Sequence, residues 1–283
     1  MASLRPLLVL AALATVASTA AAQRDRDRDR DRDRDRREDP ADWLADCRRN
    51  GWGDRERACD VRETTLPARG RLVVDGGENG GVNVVGWDRS EIKIVAKLQA
   101  NARSESDARD LLKDIRVVTT SDVHAEGPRT GSRESWSVSY DVYVPRRTSL
   151  DLETHNGGVA IEDVEGDIRF DAVNGGVRLV GVAGDVRGAT QNGGLQVSLD
   201  GDRWRGQGLD VRTQNGGVRM DIPERYNAEL ETGTVNGGFD LDFPVTVRGR
   251  LGRTISTRLG NGGAPLRVMT TNGGVSLRRS DAR

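Results

Sequence analysis

Large side chains are scarce in this chain of 283 residues, of which aromatics make up 4% while glycine reaches 35 residues. That balance excludes a thick core built on large side chains and suits thin, regularly turning β architecture. Charge of one sign is lacking as well: 43 Lys and Arg against 44 Asp and Glu leave a net charge of −1. No excess charge is there to recruit nucleic acid or an anionic membrane. The two histidines, His124 and His155, belong to no ligand-spaced cluster, so no metal or cofactor is expected. No Ser-His-Asp arrangement can be located either, and no catalytic residue is assigned.

Long apolar runs are also missing. The first residues carry Arg5, an apolar run from Leu7 to Val16 and a small-residue end at Ala20, Ala21 and Ala22. This reads as a secretory signal peptide over residues 1–22, cut before Gln23. The run is shorter than the ~18 residues of a membrane span, and no later segment approaches that length. The only cysteines, Cys47 and Cys59, would then mature in an oxidising compartment, where they are expected to pair.

From Arg24 to Asp39 arginine and aspartate alternate almost strictly, up to Pro40. Without apolar residues to offset ordering entropy, residues 23–40 read as a disordered, self-neutralising linker. Residues 41–69 read as a small disulfide-linked cap, with one or two helical turns over Asp42–Asn50 and with Trp43 and Trp52 nearby. Strand patterns begin at Arg71: Leu72 to Val74, Val82 to Val85, then Ile92, Ile94, Ala96 and Leu98 at period two. Ser104 with Asp107 resembles a capping box, and Ala108, Leu111, Leu112 and Ile115 share one helical face. Strands resume at Trp136 and alternate to Pro145.

From Ser149 onward the chain repeats itself. Asn-Gly-Gly occurs at Asn156, Asn174, Asn192, Asn215, Asn236, Asn261 and Asn272, with an earlier copy at Asn79. Six residues before each of the seven stands an aliphatic residue: Leu150, Ile168, Val186, Leu209, Leu230, Ile255 and Leu266. Two residues before stands threonine in five copies (Thr154, Thr190, Thr213, Thr234, Thr270), and apolar pairs such as Val159 with Ile161 follow the glycines. Side chains alternate along a strand, so counting back from the corner places the asparagine inward, where stacked asparagines would hydrogen-bond in a ladder. A second turn is expected at Glu165-Gly166-Asp167 and Ala183-Gly184-Asp185. Two short strands per unit point to an all-β, single-stranded β-solenoid over residues 70–283, with one short α-helix inserted near its start. Asn-Gly as a hairpin turn keeps an antiparallel β-meander or prism open as the alternative.

Tyr140 to Pro145, the Leu150-Asp151-Leu152 strand and the successive Asn-Gly-Gly-Val corners resemble a bacterial family of adhesin-type β-strand-repeat domains of unknown function. The resemblance covers Gly70 to Arg279 and implies a surface or envelope role. Carboxylates beside turns (Asp163, Glu165, Asp167, Asp185) raise calcium binding, but β-roll repeats carry their aspartate inside the glycine turn, where this chain has an apolar residue. Asp151, Glu153 and Asp171 are outward acids interleaved with Arg169, Arg178 and Arg187, and read as a solvated, salt-bridged face. The expectation is an exported, non-catalytic module, periplasmic or at the cell surface, that meets an envelope protein or glycan. The alternative is a carbohydrate-active enzyme using an acid pair.

Overall fold

The computed structural model describes residues 39–49, 55–242 and 253–280. The expected signal peptide, nearly all of the Arg-Asp linker and Trp52 lie outside these residues. The chain divides into two units, Met1–Trp43 and Leu44–Arg283. The boundary falls within helix α1 (Pro40–Arg49), whose start is capped by Asp39: its carboxylate accepts from the Ala41 amide at 2.8 Å, and Pro40 occupies the first helical position. No helix among the described residues is long and apolar enough to cross a membrane.

The second unit is mostly strand. Its first part contains β1 (Glu56–Pro67), β2 (Arg71–Asp75), β3 (Val82–Trp87) and β4 (Glu91–Ala102), then α2 (Glu105–Lys113), β5 (Arg116–Val118), β6 (His124–Glu126) and β7 (Ser135–Pro145). Ser104 caps α2 by accepting from the Asp107 amide; Ala108 is buried on the predicted face with Leu111 and Leu112 half-buried, while Ile115, also buried, lies past the helix end. A disulfide joins Cys47 of α1 to Cys59 of β1. β1 pairs antiparallel with β4 from Glu56↔Ala102 to Pro67↔Glu91, so residues 56–67 continue the main sheet.

The repeat region supplies β8 (Ser149–Thr154), β9 (Val159–Glu162), β10 (Glu165–Ala172), β11 (Val177–Val180), β12 (Ala183–Asn192), β13 (Leu195–Ser198), β14 (Gly208–Asn215), β15 (Val218–Pro223), β16 (Ala228–Asn236), β17 (Phe239–Asp242), β18 (Thr254–Leu259), β19 (Pro265–Asn272) and β20 (Val275–Ser280). Two large mixed sheets result. One runs β1-β4-β7-β3-β9-β11-β13-β15-β20-β17, the other β18-β16-β19-β14-β12-β10-β8-β2. Each coil places one strand in the second sheet, turns at Asn-Gly-Gly and places the next strand in the first. Neighbouring coils pair in parallel, which removes the antiparallel meander for these strands.

Register follows the repeat. Leu150, Ile168, Val186, Leu209, Leu266 and Leu230 fall opposite one another, as do Val159, Val177, Leu195, Val218, Val275 and Phe239 across the corner. Except for Phe239, these side chains are buried and form the core between the sheets. The longer interval before Asn215 is filled by a loop whose Trp204 is buried and donates its indole N–H to the Gly184 carbonyl at 3.0 Å.

Four expectations are corrected. The asparagines are exposed rather than inward. Alternation holds as far as the threonine two residues earlier, which is buried; beyond it the chain turns, and parity no longer predicts direction. Asn261 forms no coil corner. It lies in the link between β18 and β19, where its backbone amide donates to the Asn227 side chain at 2.8 Å, because β18 pairs antiparallel with β16 instead of starting a coil. The second corner falls at Asp163 and Gly181, both at positive φ (56° and 59°), while Gly166 and Gly184 lie inside β10 and β12. Finally, the coils do not stack in chain order: β19 and β20 are inserted between the pairs β14/β15 and β16/β17.

Candidate binding face

The corners have an inner and an outer layer. Inside, the hydroxyls of Thr154, Thr190, Thr213, Thr234 and Thr270 donate to the carbonyls of Gly157, Gly175, Gly193, Gly273 and Gly216 at 2.7–2.8 Å. This buried polar row satisfies the corner carbonyls. Outside, the asparagines form a one-directional ladder. Each Nδ2 donates to the Oδ1 of the adjacent coil, from Asn156 to Asn79 through Asn174, Asn192, Asn215 and Asn272 to Asn236, at 2.7–3.1 Å. The threonine row was visible in the sequence as a recurrence; its role was not.

The two glycines of each corner differ as well. A Cβ on the first would lie 2.0–2.2 Å from a carbonyl oxygen of the adjacent coil, as at Gly157, Gly175, Gly193, Gly216, Gly237 and Gly273. A Cβ on the second has more room: 3.4 Å at Gly176 and 3.6 Å at Gly194. With Gly217, Gly238 and Gly274 these second glycines floor a trough of about 860 Å³ on the ten-stranded sheet, flanked by Arg178 and Arg219. Arg178 thus lies on the opposite sheet from Arg169 and Arg187.

The outer face of the eight-stranded sheet carries the charge. Register places Asp151, Arg169, Arg187, Asp210, Arg267 and Glu231 in one row across six adjacent strands, each about 4.8 Å from the next. Beside it, Asp75, Glu153 and Asp171 form a row of like charge near the β2 edge. Where the row passes β12, β14, β19 and β16, the face forms a groove of about 1060 Å³ lined by Arg187, Asp210, Glu229, Glu231, Arg258 and Arg267. Its ion pairs are exposed: Arg258 to Glu229 at 2.8 Å, Arg267 to Glu231 at 3.7 Å and Arg187 to Asp185 at 3.0 Å. Such pairs contribute ~0–1 kcal/mol each, so they can exchange partners at little cost.

The remaining candidate groups are engaged elsewhere. Asp163 and Asp88 both bind the Arg146 guanidinium, at 3.1 and 2.8 Å. The hydrogen bond to Asp88, then that to Asp163, raises the pKa of Arg146. Glu165 faces Arg205 at 3.6 Å and Asp167 faces Arg169 at 3.4 Å, so each carboxylate considered for calcium has an arginine partner. His124 lies between Asp122 (Nδ1 to Oδ2, 2.8 Å, off the hydrogen-bonding direction) and Glu126 (Nε2 to Oε1, 3.7 Å). The Asp122 carboxyl is held below its usual range by the Ser121 hydroxyl and, less strongly, by His124. His155 is exposed beside its corner. Asp151 accepts from Arg71 and stands opposite Arg169, whereas Glu153 stands opposite Asp171.

No family model and no curated protein matches the chain. Among solved structures, it is similar to a provisionally assigned cell adhesion protein from Clostridium sporogenes, at 10% identity and a TM-score of 0.41, over 78% of this chain and 100% of that one. It is also similar to a provisionally assigned adhesin from Bacteroides fragilis, at 9% identity and a TM-score of 0.32, over 79% of this chain and 97% of that one. A provisionally assigned lipid-binding protein from Parabacteroides distasonis is similar at 9% identity and a TM-score of 0.22, over 78% of this chain and 96% of that one.

Proposed function

We propose that the chain is an exported, non-catalytic module of the bacterial envelope, periplasmic or at the cell surface, which binds an envelope protein or glycan as an adhesin or structural adaptor. Its repeat works as a solenoid-like stack that holds the outer charges at fixed spacing. The observation that carries this reading is the in-register row from Asp151 to Glu231 with the groove beside it. Parallel ladders keep the row rigid, so a partner meets guanidinium and carboxylate groups already in place. The exposed pairs then re-form with the partner, giving specificity by charge pattern more than by apolar area. The Cys47–Cys59 disulfide and the leader-like first residues favour an oxidising compartment.

The test compares the mature chain with an Arg187→Glu/Arg267→Glu variant for capture from envelope extract and on a glycan array. A partner retained by the first, lost by the variant and released by salt is expected. Equal capture by both would remove the charged face from the reading. No capture in either format would remove the binding function.

A further inference from the structure

The coil formed by β19 and β20 sits between two coils that precede it in the chain. β19 pairs in parallel with β14 on one side (Leu209↔Leu266, Thr213↔Thr270, Asn215↔Asn272). On the other it pairs with β16 (Leu230↔Leu266, Thr234↔Thr270, Asn236↔Asn272). β20 is held in the same way between β15 and β17. Leucine meets leucine, threonine meets threonine and asparagine meets asparagine at both boundaries. The slot therefore reads the repeat pattern itself, and residues 265–280 of any copy of the chain satisfy it equally well.

The connection from β18 into this coil has the properties of a hinge. Gly260, Gly262 and Gly263 all have positive φ (51°, 81° and 149°), and the tight fold-back is closed by the Gly262 amide donating to the Leu259 carbonyl at 2.9 Å. Glycine takes this compact form or an extended one at similar cost. Exchange has to break two parallel ladders, so it proceeds slowly and through partial opening.

We propose that the β19–β20 coil is exchangeable, and that a second copy of this chain supplies it by strand swapping. The closed monomer and the swapped dimer share every coil-to-coil contact. They differ in the conformation of the link at 260–264 and in the entropy of association, so concentration and the link set the balance.

Arg212 on β14 and Met269 on β19 stand directly opposite each other and allow the exchange to be read. In the Arg212→Cys/Met269→Cys variant the two thiols should oxidise within one chain, which reports that the coil is folded in register. The two single variants are then mixed over a range of concentrations, incubated below the unfolding midpoint and oxidised. The native Cys47–Cys59 bond leaves no free thiol to interfere. A disulfide-linked heterodimer whose yield rises several-fold with concentration is expected. Adding Gly260→Val and Gly262→Val, which strain the closed link, should raise that yield further. The proposal is overturned if the double variant closes its internal bond while the mixed single variants stay monomeric. It is equally overturned if heterodimer forms to the same extent whatever the link, since collision alone would then account for it.

Discussion

The antiparallel strands β1, β4 and β7 and the parallel stack built from β8 to β20, the antiparallel edge strand β18 apart, bury their interiors equally well by different means. In the first region, long strands pair over up to twelve residues, a disulfide ties the edge strand to a helix, and Tyr143 of β7 packs 5.4 Å from Trp87 on the adjoining β3. In the second, strands of as few as four residues suffice, because every coil repeats the same contacts with the coil on either side. Stability in the first region is spread over many different pairs. In the stack it is concentrated in a few positions, each used several times, so one substitution at a corner acts on two neighbouring coils.

The largest expected effect tests that concentration directly. Gly193→Ala would place a Cβ 2.1 Å from the Gly175 carbonyl oxygen and should cost about 3 kcal/mol in denaturant unfolding. Gly194→Ala, with 3.6 Å to the Gly217 oxygen, should be neutral within about 1 kcal/mol or slightly stabilising. Equal costs at the two positions would break the steric account of the corner. In the antiparallel region, Cys47→Ser/Cys59→Ser should also cost about 3 kcal/mol, from loop entropy alone. Hydrogen exchange should place that loss in β1 and β4, and an equal loss of protection in β12 and β14 would show that the two regions are not separable.

Within the corner, Thr213→Val strands the Gly193 carbonyl in the interior and should cost about 1.5 kcal/mol. Asn192→Ala removes two ladder hydrogen bonds that solvent can replace, and should cost about 1 kcal/mol or less. A larger loss from the asparagine would return the ladder to the interior. The smallest effect is expected at Tyr140, which is buried with no hydrogen-bond partner for its hydroxyl. Tyr140→Phe should leave stability at neutral pH within about 0.5 kcal/mol of wild type. Burial raises the pKa of Tyr140 and of Tyr226, so the folded protein keeps phenolic protons that the unfolded chain sheds above pH ~10. Stability is therefore complete below that pH and falls as pH rises past it, and Tyr140→Phe should flatten the fall.

Much of this molecule was legible residue by residue. The aliphatic rows, the alternation of Leu150 and Leu152 with Asp151 and Glu153, and the Ser104 cap all follow from local patterns with a single physical reading. The outward set Asp151, Arg169 and Arg187 was legible too, because alternation assigns it a face. Its neighbours Asp210, Arg267 and Glu231 were not assembled from sequence, since that requires knowing which strands adjoin. Asn261 shows the limit most directly: it opens an Asn-Gly-Gly triplet with Ile255 and Leu259 buried before it, yet it follows the antiparallel strand β18 and lies in the link to β19.

The sequence by itself determined that the chain builds β strands joined at glycine-lined corners and which aliphatic side chains enter the core, though not that the corner asparagines stay outside it, because strand alternation and the steric need for glycine act within a few residues. The order of the coils was decided only in the tertiary structure. All of them share one register, so no local rule distinguishes the slot taken by β19 and β20 from the next position along, and only the summed packing against β14, β15, β16 and β17 selects it.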